Sequence, residues 1–233
     1  MTNLNFIAPV KPAEYAEKSI IRAIIDDTFP INSSLPPERD LAAQLGVTRP
    51  TLREALQRLA RDGWLEIHQG KNTRVKDYWK EGNLNVLFSL SDIEGYLPEH
   101  FIIHLLQVRA LLCPTYTRLA ILRHPEEIVE FLNSTPNIEE SAPVFSTFDL
   151  ALHTKLTILS GNPVFTLILN GFHDLIEDQS KRYFLQKETR VYSARYYDAL
   201  RKAAVNRDPE AAFKISEKVM KDSIQFWQQY VKK

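Results

Sequence analysis

The feature that most constrains this chain is a change of hydrophobic period at Gly63. Upstream, in "GVTRPTLREALQRLARDG", Leu52, Ala55, Leu56, Leu59 and Ala60 recur at i, i+3, i+4, i+7 and i+8, the buried stripe of an amphipathic helix. Thr48 suits the N-cap, Pro50 is tolerated in the first turn, and Gly63 closes the far end. Downstream the period falls to 2. Trp64 to Ile67 and Thr73 to Val75 read as two strands around "HQGKN", a Gly-containing hairpin.

The helix needs partners for its apolar stripe, and they precede it. One helix is expected from Pro12 to Asp26, with Tyr15, Ile20, Ile21, Ile24 and Ile25 at apolar positions. A second, "PERDLAAQL", turns Leu41, Ala42 and Leu45 to one side and ends at Gly46; Ser34 or a neighbour is expected to cap it, with Pro37 in its first turn. Three helices and a hairpin make a winged helix-turn-helix, assigned to residues 1–78.

Beyond the polar connector "KDYWKEGN" the pattern is helical almost throughout, with helices near 83–95, 98–122, 125–133, 144–160, 164–186, 188–206 and 208–231. Pro98, Pro125, Pro163 and Pro209 sit at or near starts, where a missing N–H does little harm. "STPNIEESAP" is the clearest loop. Strand alternation is absent, so residues 79–233 are expected to form an all-α bundle and the fold class is mostly α.

Composition narrows the function. The 233 residues suffice for one large domain or two ordinary ones. No run approaches the ~18 apolar residues of a membrane span. The opening "MTNLNFIAPVKPAEYAEK" has no basic end followed by an apolar core, so no membrane or secretory destination is expected. Cys113 is the single cysteine, which fits a reducing cytoplasm. With only 7 glycines there is no Gly-rich phosphate loop. Net charge is zero, but residues 39–76 carry eight basic side chains against four acidic, and residues 81–233 carry 17 against 19. The positive charge is concentrated on the small module, as nucleic-acid binding requires.

On the third helix, Thr48, Arg49, Thr51, Arg53 and Gln57 lie opposite the buried stripe. A solvated surface would also look like this. The tight "LGV" turn, the preceding helix with Arg39 and the basic hairpin downstream favour a recognition helix leading N-terminus first into the major groove. Arginine there can hydrogen-bond guanine twice, and threonine can reach phosphates or thymine methyls. Enzyme chemistry finds no support: Ser160 lacks a G-x-S-x-G setting, the six histidines lack H-E-x-x-H spacing, and Cys113 lies in an apolar stretch.

These residues carry a resemblance. "LPPERDLAAQLGVTRPTLREALQRLARDGWLEIHQGK" is similar to the DNA-binding module of the GntR family of transcription regulators. "LLQVRA", "SGNPVFTLILNG" and "SIQFWQQY" resemble its fatty-acid-responsive branch. The resemblance implies a homodimer on a palindromic double-stranded operator, released by long-chain fatty acyl-CoA as effector and needing no other cofactor. It implies repression of fatty-acid degradation genes and activation of unsaturated fatty-acid synthesis genes. It places DNA contacts on Arg39, Thr48, Arg49, Thr51, Arg53 and Gly70. Two departures touch this surface: Pro50 stands where a threonine is usual, and Gln69 where a histidine is expected, although Gln69 can still bond base edges in the minor groove.

For the effector, the resemblance implies Arg109, Tyr183, Ser223, Trp227 and Lys232, with Leu105, Phe165, Leu169 and Phe172 as tunnel walls. Val219 departs from the pattern, where a tyrosine is expected. The residues alone permit a plainer reading, in which Arg109 pairs with an internal carboxylate and Trp227 is core. They also permit two other functions. Asp149 and His153 are spaced i, i+4, as in related regulators that hold a small carboxylate on a metal, but Tyr197 and Lys218 stand where that site would need more ligands. A constitutive DNA-binding protein is the other alternative. For the effector-responsive reading, ligand binding is expected to move helices of the large domain and alter the separation or tilt of the two winged helices.

Overall fold

The structure is a computed structural model that describes residues 11–68, 70–91 and 100–231. It divides into two compact units, Met1–Leu97 and Pro98–Lys233.

In the first unit, α1 (Pro12–Ile25), α2 (Glu38–Leu45) and α3 (Arg49–Asp62) precede β1 (Leu65–Glu66) and β2 (Arg74–Val75), an antiparallel pair with Leu65 opposite Val75. Helix α3 buries Leu52, Ala55, Leu56 and Leu59 and packs chiefly on α1, which supplies Ala13, Ala16, Ile20, Ile21 and Ile24. Tyr15, expected among those apolar positions, is half exposed: the buried row through Ala13, Ala16, Ile20 and Ile24 faces it away from α3. Thr48 caps α3 by accepting the Thr51 N–H at 3.3 Å, and Gly46 and Gly63 close α2 and α3 in the left-handed region.

Two local expectations change. Ser34 does not cap α2. Pro37 holds the cap position without a side-chain bond, and Ser34 forms a β-bridge with Arg74 while the Leu35 N–H bonds the Thr73 carbonyl. The stretch before α2 is thereby tied to the hairpin. The polar connector also contains structure, the short helix α4 (Tyr78–Glu81), and the helix expected near 83–95 follows it as α5 (Leu84–Ser91). Tyr78 packs its ring 4.8 Å from the fully buried Trp64. Arg74 donates to Glu66, Glu81 and Asn32, which joins wing, α4 and the loop before α2.

The second unit is all helical among its described residues: α6 (Phe101–Arg123), α7 (Pro125–Leu132), α8 (Ala142–Leu159), α9 (Pro163–Asn170), α10 (His173–Tyr183), α11 (Lys187–Val205), α12 (Pro209–Phe226) and a closing π-helical turn, Trp227–Val231. Pro125, Pro163 and Pro209 occupy first turns. Pro98 lies outside the described residues. The helix expected over 164–186 is two helices. The chain turns at Gly171 and Phe172, and Phe172 tucks its ring inward.

Helix α12 lies mainly on α6 and α11, and α8 packs against α6 and α10. Tyr116, Ala120, Phe145, Leu152, Tyr197 and Leu200 form the centre of the core. Cys113 is fully buried, and burial pushes its thiol pKa up, so it is an unreactive thiol.

Candidate functional site

The polar face of α3 is open. Arg49 and Arg53 are exposed one helical turn apart, and Thr48 and Thr51 join hydroxyls at 2.8 Å at its N-terminus. Capping gives both threonines a fixed orientation, and the free end of the helix dipole beside them favours a phosphate. Arg39 projects from α2 with 80% of its side chain exposed, held through Nε to Asp40 at 2.9 Å. Arg53 is held through Nε to Glu38 at 2.7 Å. The hairpin brings Gly70, in the left-handed region at φ 72°, and exposed His68 and Lys71 to its tip. Gln69 lies outside the described residues. Glu38 was missed from sequence because its partner is fifteen residues away, across a turn that only the folded pair of helices closes.

The second unit contains a cavity of about 160 Å³. Leu105, Phe165, Leu169 and Phe172 all line it, as do Arg109, Tyr183, Ser223 and Trp227. Four of the five effector residues implied by resemblance are thus brought to one space from α6, α10, α12 and the π-helical turn. Lys232 lies outside the described residues. Val219 also faces the cavity. Ser223 donates its hydroxyl proton to the Met220 carbonyl at 2.7 Å, so its oxygen is left to accept. Burial raises the Tyr183 pKa, keeping a neutral phenol beside the space.

At one side of the cavity Arg109, Asp149, His153 and Tyr197, which the sequence reading placed in separate roles, form one polar network together with Tyr116. Asp149 accepts from Tyr197 Oη at 2.8 Å and from Arg109 Nη2 at 3.3 Å. The same Arg109 nitrogen is 2.7 Å from His153 Nε2. A guanidinium only donates, so Nε2 accepts, and the imidazole is neutral with its proton on Nδ1. That proton is directed to Tyr116 Oη at 2.9 Å. Burial, with the nearby Arg109 charge, lowers the His153 pKa to about 4. For Arg109, burial works against the charge, but the Asp149 carboxylate outweighs it and raises the pKa further. Arg109 therefore has both attributes considered from sequence: an internal carboxylate partner and a place in the cavity wall.

The i, i+4 pair of Asp149 and His153 is separated by 3.8 Å, with the guanidinium against both. Tyr197 is engaged with Asp149, and Lys218 pairs instead with Asp222 at 2.6 Å. Among the described residues no group of three or more His, Cys, Asp and Glu side chains is arranged to hold a metal ion.

Residues 12–75 match the family model described as "Bacterial regulatory proteins, gntR family", and residues 76–233 match the FadR C-terminal domain. The chain belongs to the FadR branch of the GntR family. Over 200 residues it is 42% identical to the "Fatty acid metabolism regulator protein" of Shewanella frigidimarina, covering 84% of this chain and 82% of that one. The protein of the same description from Shewanella amazonensis is 44% identical over 196 residues, covering 83% and 80%.

A solved structure described as "Lar controls the expression of the Listeria monocytogenes agr system and mediates virulence" has a TM-score of 0.57 at 13% identity, covering 98% of this chain and 99% of that one. That likeness concerns the fold alone. This GntR protein is a transcription regulator of fatty-acid metabolism and not an enzyme. No helix among the described residues is long and apolar enough to cross a membrane.

Proposed function

We propose that this regulator binds an inverted-repeat operator as a cytoplasmic homodimer and leaves it when long-chain fatty acyl-CoA enters the cavity of the second unit. Arg49 and Arg53 read base edges; Arg39, Thr48 and Thr51 orient the helix on the backbone; Gln69 and Gly70 engage the minor groove. Arg109, Tyr183, Ser223, Trp227 and Lys232 receive the polar part of the ligand. Bound to DNA, the protein represses fatty-acid degradation genes and activates those for unsaturated fatty-acid synthesis.

The observation that carries this reading is the apolar cavity with a few convergent polar groups, in a chain whose relatives are named as regulators of fatty-acid metabolism. Its volume of about 160 Å³ also bears on the release step. Sites that enclose a drug-sized ligand run to ~300–1,000 Å³. A long acyl chain therefore has to part the walls. Helix α9 is the wall least held, since none of its residues is buried and Val164 and Leu167 face outward. A ligand that fits only the expanded state binds the two states differently, and that difference is what shifts the equilibrium.

Titration of a selected inverted-repeat duplex with and without palmitoyl- or oleoyl-CoA tests the proposal. Operator affinity should fall with either thioester and stay constant with CoA alone. Acyl-CoA binding with unchanged operator affinity would reject the coupling and leave a constitutive DNA binder.

A further inference from the structure

We infer that Glu38 is a positioning residue for DNA reading: its carboxylate fixes Arg53 so that the two terminal nitrogens of the guanidinium face the duplex. The inference rests on the reading of Arg53 as a base-facing residue. Glu38 is the first residue of α2, and Arg53 stands in the second turn of α3, so their 2.7 Å contact crosses the helix-turn-helix. The contact uses Nε, the donor nearest the stem. Among the described residues nothing engages the terminal nitrogens of Arg53.

A different arginine on the same helix makes the contrast. Arg58 gives its terminal nitrogens to Glu54 and Glu17, facing α1, and has none to offer outward. Arg39 repeats the Nε mode with Asp40. The two arginines of this surface that have carboxylate partners are thus both gripped at the stem with the fork left open.

Exposed ion pairs contribute little to stability, and 61% of the Arg53 side chain is exposed. Stability does not account for the pair; orientation does. Bidentate recognition of guanine needs the planar fork at a set angle. Ordering a long side chain beforehand removes that entropy cost from the binding step. The carboxylate has a second effect, because it repels the phosphates of every duplex alike. Repulsion falls on all sequences and the positioning gain only on the cognate one, so Glu38 raises discrimination more than affinity.

The test uses the full chain and an inverted-repeat duplex that the wild-type protein selects from a randomised library, with a scrambled duplex at the same salt. The readout is the ratio of the two dissociation constants. Glu38→Ala should lower the ratio about fivefold or more while binding to the scrambled duplex tightens. Glu38→Asp keeps the charge but withdraws it from Nε, so it should lower the ratio without that tightening; it also carries the test should Glu38→Ala melt early. The loss should fall at the base pair desensitised by Arg53→Ala, and the double variant Glu38→Ala with Arg53→Ala should match Arg53→Ala alone. An unchanged ratio in Glu38→Asp, or losses that multiply in the double variant, would overturn the role of Glu38 and leave Arg53 standing. No loss in Arg53→Ala itself would overturn the base-facing reading and this inference together.

Discussion

Arg109 donates from Nη2 to His153 Nε2 across 2.7 Å, and so a permanent cation holds a neutral imidazole at the edge of the cavity. The arrangement is stable because Asp149 supplies the countercharge and Tyr197 the second hydrogen bond to that carboxylate. Burying a charge is tolerated when it is paired and its partners are satisfied. The network makes one wall of the cavity from groups that also hold the second unit together.

Replacing Arg109 by leucine should therefore destabilise the fold as well as alter the site. Asp149 would keep Tyr197 but lose its cation, a cost of about 3 kcal/mol for breaking a pair of this burial. Asp149→Asn added to the leucine variant should recover part of the loss, because the stranded charge is gone. Urea unfolding of the four proteins in the cycle checks both the sign and the coupling. Equal stability of wild type and Arg109→Leu would contradict the pairing.

The lowered His153 pKa predicts a pH dependence. The unfolded imidazole titrates near 6.5 and the folded one at about 4, so between these values the unfolded state binds more protons. Stability from this group is complete above about pH 6.5 and drains away as pH falls toward 4, by up to roughly 3 kcal/mol. Unfolding curves across that window should show the decline, and His153→Gln should flatten it. An equally steep decline in the glutamine variant would assign it to other groups.

Gly63 ends α3 at φ 98°, and a Cβ there would lie 3.3 Å from the Asn83 nitrogen and from the Gly82 Cα. Gly63→Ala should lose about 1–2 kcal/mol from the backbone conformation alone, with α4 and α5 pressed away from the end of α3. Thermal unfolding measures the loss, and faster amide exchange in α4 and α5 would locate it. Gly63→Asn should be milder, since asparagine enters the left-handed region more readily.

Val219 leaves room in the cavity where related sequences are expected to carry tyrosine. Val219→Tyr should place a ring in that space and shift binding toward shorter acyl chains. Titrating lauroyl-, palmitoyl- and oleoyl-CoA against wild type and variant checks the order of affinities. An unchanged order would remove Val219 from the chain-length determinants.

The DNA module was legible because its information is local. Thr48, Gly46 and Gly63 mark helix ends by chemistry that acts over a few residues, and the stripe from Leu52 to Leu59 needs only the helical period to be read. The limits of the wing were less so. A strand ends where its partner does, and the partner of Arg74 includes Ser34, forty residues earlier. The break of α9 from α10 does have a local signal, the turn dipeptide Asn170-Gly171, but burial of the Phe172 ring is what turns the chain there instead of leaving a tolerated glycine inside one long helix.

Amphipathic period, capping chemistry and the local surplus of arginine thus determined from sequence alone that a winged helix is joined to a helical bundle. Only tertiary structure decided that Arg109 faces Asp149 and His153, that Glu38 grips Arg53, and that Leu105, Phe165 and Trp227 border a common space. Helical period is a short-range property of the backbone, whereas these contacts join side chains on different helices. Their distances depend on how whole helices pack, which no spacing along the chain encodes.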